Sequence, residues 1–287
     1  MFLITTADKR FWKTDEKVIF LGEWCKLFSD NELLQNIEYE ILPYHWSDRE
    51  RMHKDFEYLN VLYEKILIKL SNSLNNIHGT SHSTRYWRIL IGPWLYYFMA
   101  VVYDRYLSIV AAADSGKVTE TQIGKYEHFA PSDFYAFYKL LEDDSFNHFL
   151  YDRIITHTRL LPYKMIQTDF DIRDVENSAA ASKRSALISA LKYPVRLLRR
   201  KITDRLEGIM LELKYVDKED LRKLNSALAQ VNAGFRRVVL SKLTAFNEEI
   251  RKRINVEAGM NDFETLLLNL IREQIPLLYI EGYSGTQ

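Results

Sequence analysis

Residues 1–25 read MFLITTADKRFWKTDEKVIFLGEWC, and this stretch decides the fold class. It contains two short apolar runs, FLITT at 2–6 and VIFLG at 18–22, and each ends in polar residues or glycine. A short apolar run bounded by turn residues is typical of a buried strand. The run YEILP at 39–43 has the same form. The opening of the chain therefore predicts three strands of one sheet.

The hydrophobic period changes after residue 46. Residues 47–50, SDRE, match a capping box in which Ser47 and Glu50 bond the first backbone N–H groups of a helix. Apolar residues then recur at spacings of three and four as far as Gly79, which predicts one long amphipathic helix. A second helix is expected over 84–113, kinked at Pro93 because proline removes a donor and clashes with the preceding turn. Its uncharged run of residues 89–103 is shorter than a membrane span of roughly 20 residues and predicts burial.

The rest of the chain is predicted to add helices, two strands and loops. Helices are expected over residues 131–141, 145–158 (capped by Ser145), 182–203, 217–231 and 263–273, strands over 209–215 and 276–280, and loops over 116–130 and 166–177. Strands that alternate with helices favour a helix-rich α/β fold with a mostly parallel, Rossmann-like sheet and long inserted helices. The sequence has no internal repeat and no low-complexity linker, so residues 1–287 are expected to form a single domain.

The composition excludes several classes of protein. The 39 basic and 39 acidic residues balance, so a general attraction to nucleic acid is not expected. One cysteine, Cys25, cannot form an internal disulfide, which favours a reducing cytoplasm. Asp8 interrupts an N-terminus that lacks the long apolar stretch of a secretory signal. The spacing of His78 and His82 suits a metal on a helix, but no third ligand is near in sequence, and no metal site is expected.

Five stretches carry a resemblance to a known family. They are MFLITTADKRFWK (1–13), VIFLGEWC (18–25), LPYHWSDRE (42–50), YWRILIGPWLYYFMAVVYDRYLSI (86–109) and IPLLYIEGY (275–283). Together they resemble a family of transferases encoded in bacterial O-antigen and surface-polysaccharide gene clusters. The resemblance implies two similar α/β domains that face a cleft, as in two-domain glycosyltransferases that use nucleotide sugars.

The same resemblance implies a division of labour between the two domains. The second domain would carry the nucleotide sugar, and the first would contact a carbohydrate or lipid-linked acceptor. Members of the family are about twice as long as this chain. Residues 1–287 are therefore expected to be the acceptor-side, N-terminal half, with the donor-binding domain supplied by a second half or a partner chain.

Candidate site residues lie where the first three predicted strands end. Ligands of open α/β sheets bind beyond the carboxyl ends of the strands. His45 is a candidate general base toward an acceptor hydroxyl because an imidazole titrates near neutrality, and Glu23 is a second candidate. The alternative is that these side chains have structural roles at the boundary between sheet and helices. The candidates for substrate binding at the strand ends are Thr5, Thr6, Trp24, Tyr44 and Trp46.

Two further sets of charged residues admit a functional and a structural interpretation. Arg85, together with Trp87, begins the second long helix, and a guanidinium there would clamp a phosphate or carboxylate through paired donors. Arg85 would otherwise pair with an acidic neighbour. The acidic pairs at 143–144 and at 169 and 171 would hold a metal–nucleotide group, or would mark a helix end and a solvated loop. Phosphate-loop and GxSxG motifs do not occur in the sequence.

Residues 177–203 contain seven Lys or Arg and no Asp or Glu. Apolar residues recur among them at helical spacing, which is typical of an amphipathic helix on an anionic membrane surface. This interpretation predicts a cytoplasmic protein that is peripheral on the inner membrane and acts on a lipid-linked acceptor. Pro194 interrupts the pattern, and the alternative is a helix packed on the sheet with its basic face in water. The residues assigned to the membrane surface are Lys192, Arg196, Arg199, Arg200 and Lys201.

The sequence thus supports two hypotheses of function. In the first, the chain is the acceptor-side domain of a glycosyltransferase-type enzyme of surface-polysaccharide (O-antigen) biosynthesis. It would have no intrinsic cofactor, and a nucleotide sugar would be the co-substrate. In the second, it is a non-catalytic carbohydrate- or membrane-binding or scaffold module derived from such an enzyme. The two are discriminated by whether the reading frame continues or an adjacent frame encodes the missing half. If neither is found and the purified chain binds no sugar nucleotide, the first hypothesis fails.

Overall fold

A computed structural model describes residues 1–168, 170, 172–174, 245–255 and 261–283. In these ranges five strands form one sheet in the order β3-β2-β1-β4-β5, and each neighbouring pair is parallel. The chain adds β2 and β3 in turn on one side of β1, and it then adds β4 and β5 on the other side of β1, as in Rossmann-like sheets. The prediction of an α/β fold with a parallel Rossmann-like sheet is confirmed. The strands are β1 Phe2–Ile4, β2 Val18–Phe20, β3 Tyr39–Ile41, β4 Glu120–Lys125 and β5 Tyr163–Gln167.

Helices dominate the remaining part of the chain that the structure describes. They include α1 Asn31–Leu34, α2 Arg49–His78, α3 Thr84–Asp114, α4 Phe134–Leu140, α5 Asp144–Thr158, α6 Glu248–Lys252 and α7 Asp262–Gln274. The chain passes from β3, at one edge of the sheet, to β4 through α2 and α3, so the prediction of long inserted helices is confirmed. Among the described residues, no helix has the length and apolar character that crossing a bilayer requires.

The first two strands lie in the centre of the core. All residues of β1 and β2 are buried, whereas β3 and β5, at the two edges, are partly exposed. Helix α3 contributes Trp87, Trp94 and Phe98, which are fully buried. Burial of one such large apolar side chain stabilises the fold by about 1.5–3 kcal/mol. Within its uncharged run of residues 89–103, however, Ile89, Tyr96 and Tyr97 are exposed, so the prediction of a helix buried on most sides was wrong and the run is buried on one face only.

Helices α2 and α3 pack against each other as an antiparallel pair. Arg88 of α3 forms two hydrogen bonds of 2.6 Å with Glu64 of α2, and one turn onward Gly92 faces Tyr63. A Cβ atom on Gly92 would lie 2.7 Å from the Tyr63 hydroxyl, so the close approach of the two helices depends on glycine here. The turn between the helices begins at Gly79, whose φ of 65° lies in the left-handed region.

Two predicted helix caps and one predicted strand were wrong. Asp48, not Ser47, caps α2 by accepting hydrogen bonds from two backbone N–H groups, because its side chain is one residue nearer the first turn. Asp143, not Ser145, caps α5 in the same way. Residues 276–280, predicted as a strand, contain a 3-10 turn, Leu277–Tyr279, which follows Pro276.

Strands β4 and β5 are absent from the elements that the sequence predicts. Their residues lie in predicted loops or in stretches for which no element is predicted. The predicted loop 116–130 contains β4, and the predicted loop 166–177 begins inside β5. The expected elements at 182–203, 209–215 and 217–231 lie outside the described residues. The expectation of a single domain over 1–287 stays a prediction.

Candidate functional site

A cavity of about 720 Å³ opens at the carboxyl ends of β1, β2 and β3. This is the edge of a parallel sheet at which ligands of α/β proteins bind. The loops that follow the three strands supply one side of the cavity, and helices α3 and α5 supply the other. The lining residues are Thr6, Gly22, Glu23, Trp24, Ile41, Leu42, Pro43, Tyr44, Ser47, Asp104, Arg105, Asp144, Asn147 and Tyr151.

Two aromatic side chains form one wall of the cavity. Trp24 and Tyr44 are 38% and 39% exposed, and their rings meet edge to face with centroids 5.9 Å apart. The Trp24 indole N–H donates a 3.1 Å hydrogen bond to the carbonyl of Thr5 at the end of β1. Its ring lies directly over Gly22, where a Cβ atom would come within 2.1 Å of it. Glycine at this position therefore sets the orientation of the indole.

Asp104 is the centre of a polar group on the opposite wall. The Tyr44 hydroxyl donates to Asp104 Oδ1 over 2.8 Å. Burial, together with this contact, raises the Tyr44 pKa. His45 Nε2 lies 3.4 Å from the same oxygen, and Arg105 Nη1 lies 3.6 Å from Oδ2. The His45–Asp104 contact is close enough for an ion pair but lacks the alignment of a hydrogen bond. These contacts thus hold the Asp104 carboxylate and the Tyr44 phenol in place at the cavity.

The Arg105 guanidinium is engaged by protein groups and is not directed freely into the cavity. Its Nη1 donates to the carbonyl of Val101 over 3.3 Å, and its Nη2 donates to the side-chain oxygen of Asn147. The guanidinium also lies 5.7 Å from the ring centre of Tyr151. Arg105 therefore ties α3 to α5 and partly neutralises Asp104.

Asp144 places a second carboxyl group on the cavity, at the first residue of α5. Partial burial raises its pKa, and the nearby charges of Asp143 and Asp8 act in the same direction. A hydrogen bond from the backbone N–H of Ala7 partly offsets the rise. A carboxyl whose pKa is raised is better suited to accept a proton from a substrate hydroxyl.

The lining residues carry three carboxylates, Glu23, Asp104 and Asp144, and one guanidinium, Arg105. The Glu23 carboxylate is largely exposed and forms an ion pair of 2.8 Å with Lys26. A net negative charge on the walls would repel a diphosphate and would accept hydrogen bonds from hydroxyl groups. The cavity has the chemistry of a site for a neutral or cationic ligand.

The predicted strand-end residues occupy different positions relative to the cavity. Thr6, Glu23, Trp24 and Tyr44 line it. The Trp46 indole donates to Asp55 on α2 and is not a lining residue. The structure thus brings four of the predicted residues together on one wall.

Thr5 and His45 lie behind the wall. The His45 side chain is 3% exposed, and it reaches the cavity only through Asp104. Thr5 Oγ1 lies 3.0 Å from Nδ1 of His148, a buried residue on which the ring of Phe11 stacks. Burial lowers the pKa of His148 to about 3, so this imidazole is neutral. These contacts fix the end of β1 against α5.

Arg85 and Trp87 do not belong to the cavity. Arg85 lies 20 residues before Arg105 on the same helix, which corresponds to about 30 Å along its axis. Arg85 is exposed, and Trp87 is buried with its indole N–H donating to Asn75 over 3.0 Å. The five basic residues assigned to a membrane surface, and the acidic residues at 169 and 171, lie outside the described residues.

Sequence reasoning missed the lining residues that come from helices. Asp104 and Arg105 are the only charged residues between Arg88 and Asp114 on α3, and this charged pair is the available signal for a functional position. Asn147 and Tyr151 lie one turn apart on α5 and carry no such signal, because their approach to the cavity depends on how α5 packs. The sequence indicates Asp144 only as one member of the acidic pair at 143–144.

Among the residues that the structure describes, no group of three or more His, Cys, Asp and Glu side chains is arranged to hold a metal.

Comparison with known proteins identifies a family. The family model for the LIC12162 family transferase matches residues 1–287. No curated protein matches the chain, and no solved structure matches it.

Proposed function

The chain belongs to the LIC12162 family of transferases, and on this premise we propose that its cavity binds the acceptor of a glycosyl transfer. The reaction would belong to the synthesis of a bacterial surface polysaccharide such as O-antigen. A nucleotide sugar would be the donor, held by a separate donor-binding domain. The chain would then contribute the acceptor side of the active site.

The charge and the aromatic wall of the cavity are the observation that supports this proposal. Three acidic residues line the cavity, of which Glu23 is paired with Lys26, and the one guanidinium of the lining is already bonded to other protein groups. Such a surface disfavours the diphosphate of a nucleotide sugar and provides acceptors for sugar hydroxyls. The exposed faces of Trp24 and Tyr44 offer a flat apolar surface with polar edges, which suits the C–H face of a sugar ring.

Asp144 is the residue that we assign as general base. Its carboxylate would take the proton of the attacking acceptor hydroxyl while that oxygen bonds to the anomeric carbon of the donor. The bond between the anomeric carbon and the diphosphate oxygen breaks, and the nucleoside diphosphate leaves with the electron pair. Burial raises the Asp144 pKa, so its proton affinity is better matched to a hydroxyl than that of an exposed carboxylate.

The two bases predicted from sequence take secondary places in this scheme. Glu23 lines the cavity, but its carboxylate is largely exposed and paired with Lys26, so water would compete for it. His45 would act as a positioning residue, because its imidazole faces Asp104 and not the cavity. Tyr44 and Asp104 would orient the acceptor through their shared hydrogen bond.

Calorimetric titration with methyl glycosides tests the proposal. The probes are the methyl glycosides of glucose, galactose, mannose, rhamnose and N-acetylglucosamine, with UDP and GDP for comparison. We expect at least one glycoside to bind the wild-type chain. Trp24→Ala should weaken it about tenfold, because the stacking surface of the wall is lost.

Tyr97→Ala is the matched control, since Tyr97 is 45% exposed on α3 and is not a lining residue. Its affinity for the glycoside should equal that of the wild type. Equal affinities of wild type and Trp24→Ala would show that the sugar binds elsewhere. Binding of UDP or GDP that Trp24→Ala abolishes would make the cavity a donor site and would overturn the proposal.

A further inference from the structure

A second cavity, of about 120 Å³, opens at the carboxyl end of β4. Its lining comes chiefly from β4, α5, α7 and the loop after β4, and it shares no lining residue with the first cavity. The chain adds strands on one side of β1 and then, from β4, on the other side, so the topological switch point of the sheet lies between β1 and β4. Ligands of open α/β sheets bind beyond the strand ends at such a point. The second cavity therefore has the position of a ligand site.

Three side chains that line the second cavity carry a buried polar atom without a hydrogen-bond partner among the described residues. The atoms are Asp152 Oδ1, Gln274 Oε1 and the Tyr126 hydroxyl oxygen. Asp152 and Gln274 are only 2% and 1% exposed. Proteins rarely leave a buried polar group unpaired, because its lost hydration is not replaced. Three such atoms around one cavity indicate that a polar ligand completes their hydrogen bonds.

The rest of each side chain is held in place by the protein. The Gly124 backbone N–H donates to Asp152 Oδ2 over 2.7 Å, and Gln274 Nε2 donates to the carbonyl of Phe129 over 2.9 Å. The second bond also identifies which atom of the Gln274 amide is the free oxygen. The Tyr126 ring lies over Gly124, where a Cβ atom would come within 2.5 Å of it. The three polar atoms therefore form a fixed set.

Asp152 acts in this set as a hydrogen-bond donor. Burial raises its pKa well above the usual range, so the carboxyl favours its protonated form. The proton belongs on Oδ1, because Oδ2 already accepts the Gly124 N–H. Nε2 of the neutral His148 lies 3.3 Å from Oδ1, and the Tyr126 hydroxyl is also near Asp152, but neither is aligned to bond it. The Oδ1 hydroxyl is thus available to a ligand.

The donor and acceptor pattern selects the chemistry of the ligand. Asp152 donates, the Gln274 oxygen accepts, and the Tyr126 hydroxyl can do both. An ammonium group only donates hydrogen bonds, and a phosphate or carboxylate only accepts them. A hydroxyl group does both and matches a mixed set. The cavity is therefore suited to the hydroxyl groups of a ligand.

Charge and size narrow the ligand further. The ionised side chains of the lining balance, since two are basic and two are acidic, and they are Lys125, Arg153, Glu127 and Glu273. Arg153 and Glu273 are bonded to each other over 2.9 and 2.7 Å. At ~30 Å³ for each water molecule, the cavity has the volume of about four waters. A three-carbon polyol fits this space, and a hexopyranose with its substituents does not.

We propose that the second cavity binds a small neutral polyol, whose hydroxyl groups bond Asp152, Gln274 and Tyr126. This site is separate from the cavity assigned to the acceptor, and the inference does not rest on the proposed function. Its exposed rim at Lys125 and His128 lets a ligand enter from solvent.

An NMR titration with glycerol at pH 6 tests the proposal, and 1,3-propanediol, which lacks the middle hydroxyl, is the matched probe. The resonances of the Gln274 side-chain amide report binding. We expect them to shift saturably with glycerol, and the affinity for 1,3-propanediol to be at least about fivefold lower, because a site built for a hydroxyl rejects an analogue that lacks it. Tyr126→Phe should weaken glycerol about fivefold through the loss of one hydrogen bond. Its stability in urea should not fall, since the hydroxyl has no partner in the protein.

Two further variants sharpen the test. Asp152→Asn should keep wild-type affinity for glycerol, because the amide nitrogen donates as the protonated carboxyl does and the amide oxygen still accepts the Gly124 N–H. Tyr138→Phe is the matched control, since Tyr138 is 43% exposed on α4 and lines neither cavity. It should bind glycerol as the wild type does.

Several results would overturn the proposal. Shifts that do not saturate, or equal affinities for glycerol and 1,3-propanediol, would mean that water alone fills the cavity. Equal affinities of wild type and Tyr126→Phe would place the polyol elsewhere. A titration in which ethylammonium binds more tightly than glycerol, and Asp152→Asn abolishes that binding, would make the cavity a cation site. Methyl glycosides that bind beside Trp24 while glycerol binds nowhere would retain the acceptor site and remove the polyol site.

Discussion

Substitution of Gly22 by alanine is the sharpest structural test of the aromatic wall. The backbone at Gly22 is extended, with φ of −176° and ψ of 178°, so alanine is compatible with the local conformation. The three atoms nearest an added Cβ all belong to Trp24. An added Cβ would be 2.1, 2.3 and 2.5 Å from the indole atoms Cζ3, Cη2 and Cε3. The ring must therefore move away.

The size of the effect follows from these distances. Ordinary contact begins at 3.4 Å, so the indole must shift by about 1.3 Å, which is the difference between 3.4 and 2.1 Å. A shift of this size breaks the 3.1 Å hydrogen bond to Thr5, which contributes about 0.5–1.5 kcal/mol. Alanine also lowers the conformational entropy of the unfolded chain, which stabilises the folded state by about 0.4–1 kcal/mol. We expect a net loss of stability below about 1 kcal/mol, but a loss of glycoside affinity of about tenfold.

Fluorine NMR of the protein labelled with 5-fluorotryptophan reports the ring movement directly. Trp24→Phe assigns the Trp24 resonance, which should shift in Gly22→Ala while the other four tryptophans keep theirs. Gly116→Ala is the control: its φ of 63° costs alanine about 1–2 kcal/mol, but its Cβ would have no atom within 4 Å. It should lower stability in urea and leave affinity unchanged. An unmoved Trp24 resonance in Gly22→Ala would refute the account of the wall.

Two further predictions concern ion pairs outside the cavity. Glu281→Gln removes the carboxylate that accepts hydrogen bonds of 2.7 and 3.0 Å from Arg251, and both side chains are at most 3% exposed. The buried guanidinium loses its counter-charge, so the free energy of unfolding, measured in urea, should fall by about 3–5 kcal/mol. A decrease below about 1 kcal/mol would contradict this prediction. Hydrogen bonds from His157 and Arg153 outweigh the effect of burial and lower the Glu273 pKa to about 2. This carboxylate therefore contributes stability above its unfolded pKa of about 4.3, and the contribution should disappear as the pH falls toward 2. Glu273→Gln should therefore reduce the change of unfolding free energy with pH in that window. An unchanged pH dependence would contradict the assigned role of the hydrogen bonds from His157 and Arg153.

The parts of the fold that could be predicted from sequence are those whose burial leaves a pattern. Strands β1 and β2 are completely buried, so their residues are continuously apolar and could be recognised. Strand β4 carries Thr121, whose hydroxyl donates to the carbonyl of Leu3 on the neighbouring strand. A polar residue satisfied inside the sheet breaks the apolar run, so the sequence pattern predicts a loop at this strand. Strand β5 is mostly exposed at the edge and shows no such run.

The candidate site divides in the same way. The rule that ligands bind beyond strand ends indicated Glu23, Trp24 and Tyr44, and all three line the cavity. Asp104 and Asp144 reach the cavity from α3 and α5, and their approach depends on how these helices pack. Spacing in the sequence contains no information on that packing. The strand-end wall could therefore be predicted, but the opposite, charged wall could not.

The Trp24 fluorine resonance reports directly which of two kinds of ligand enters the cavity. By the proposed function, the cavity accepts sugar hydroxyls and excludes a diphosphate. Titration with the methyl glycoside that binds in calorimetry should shift the Trp24 resonance with the same midpoint, and titration with UDP should leave it in place. A resonance that moves with UDP and not with any of the glycosides would contradict the assignment of this cavity to the acceptor.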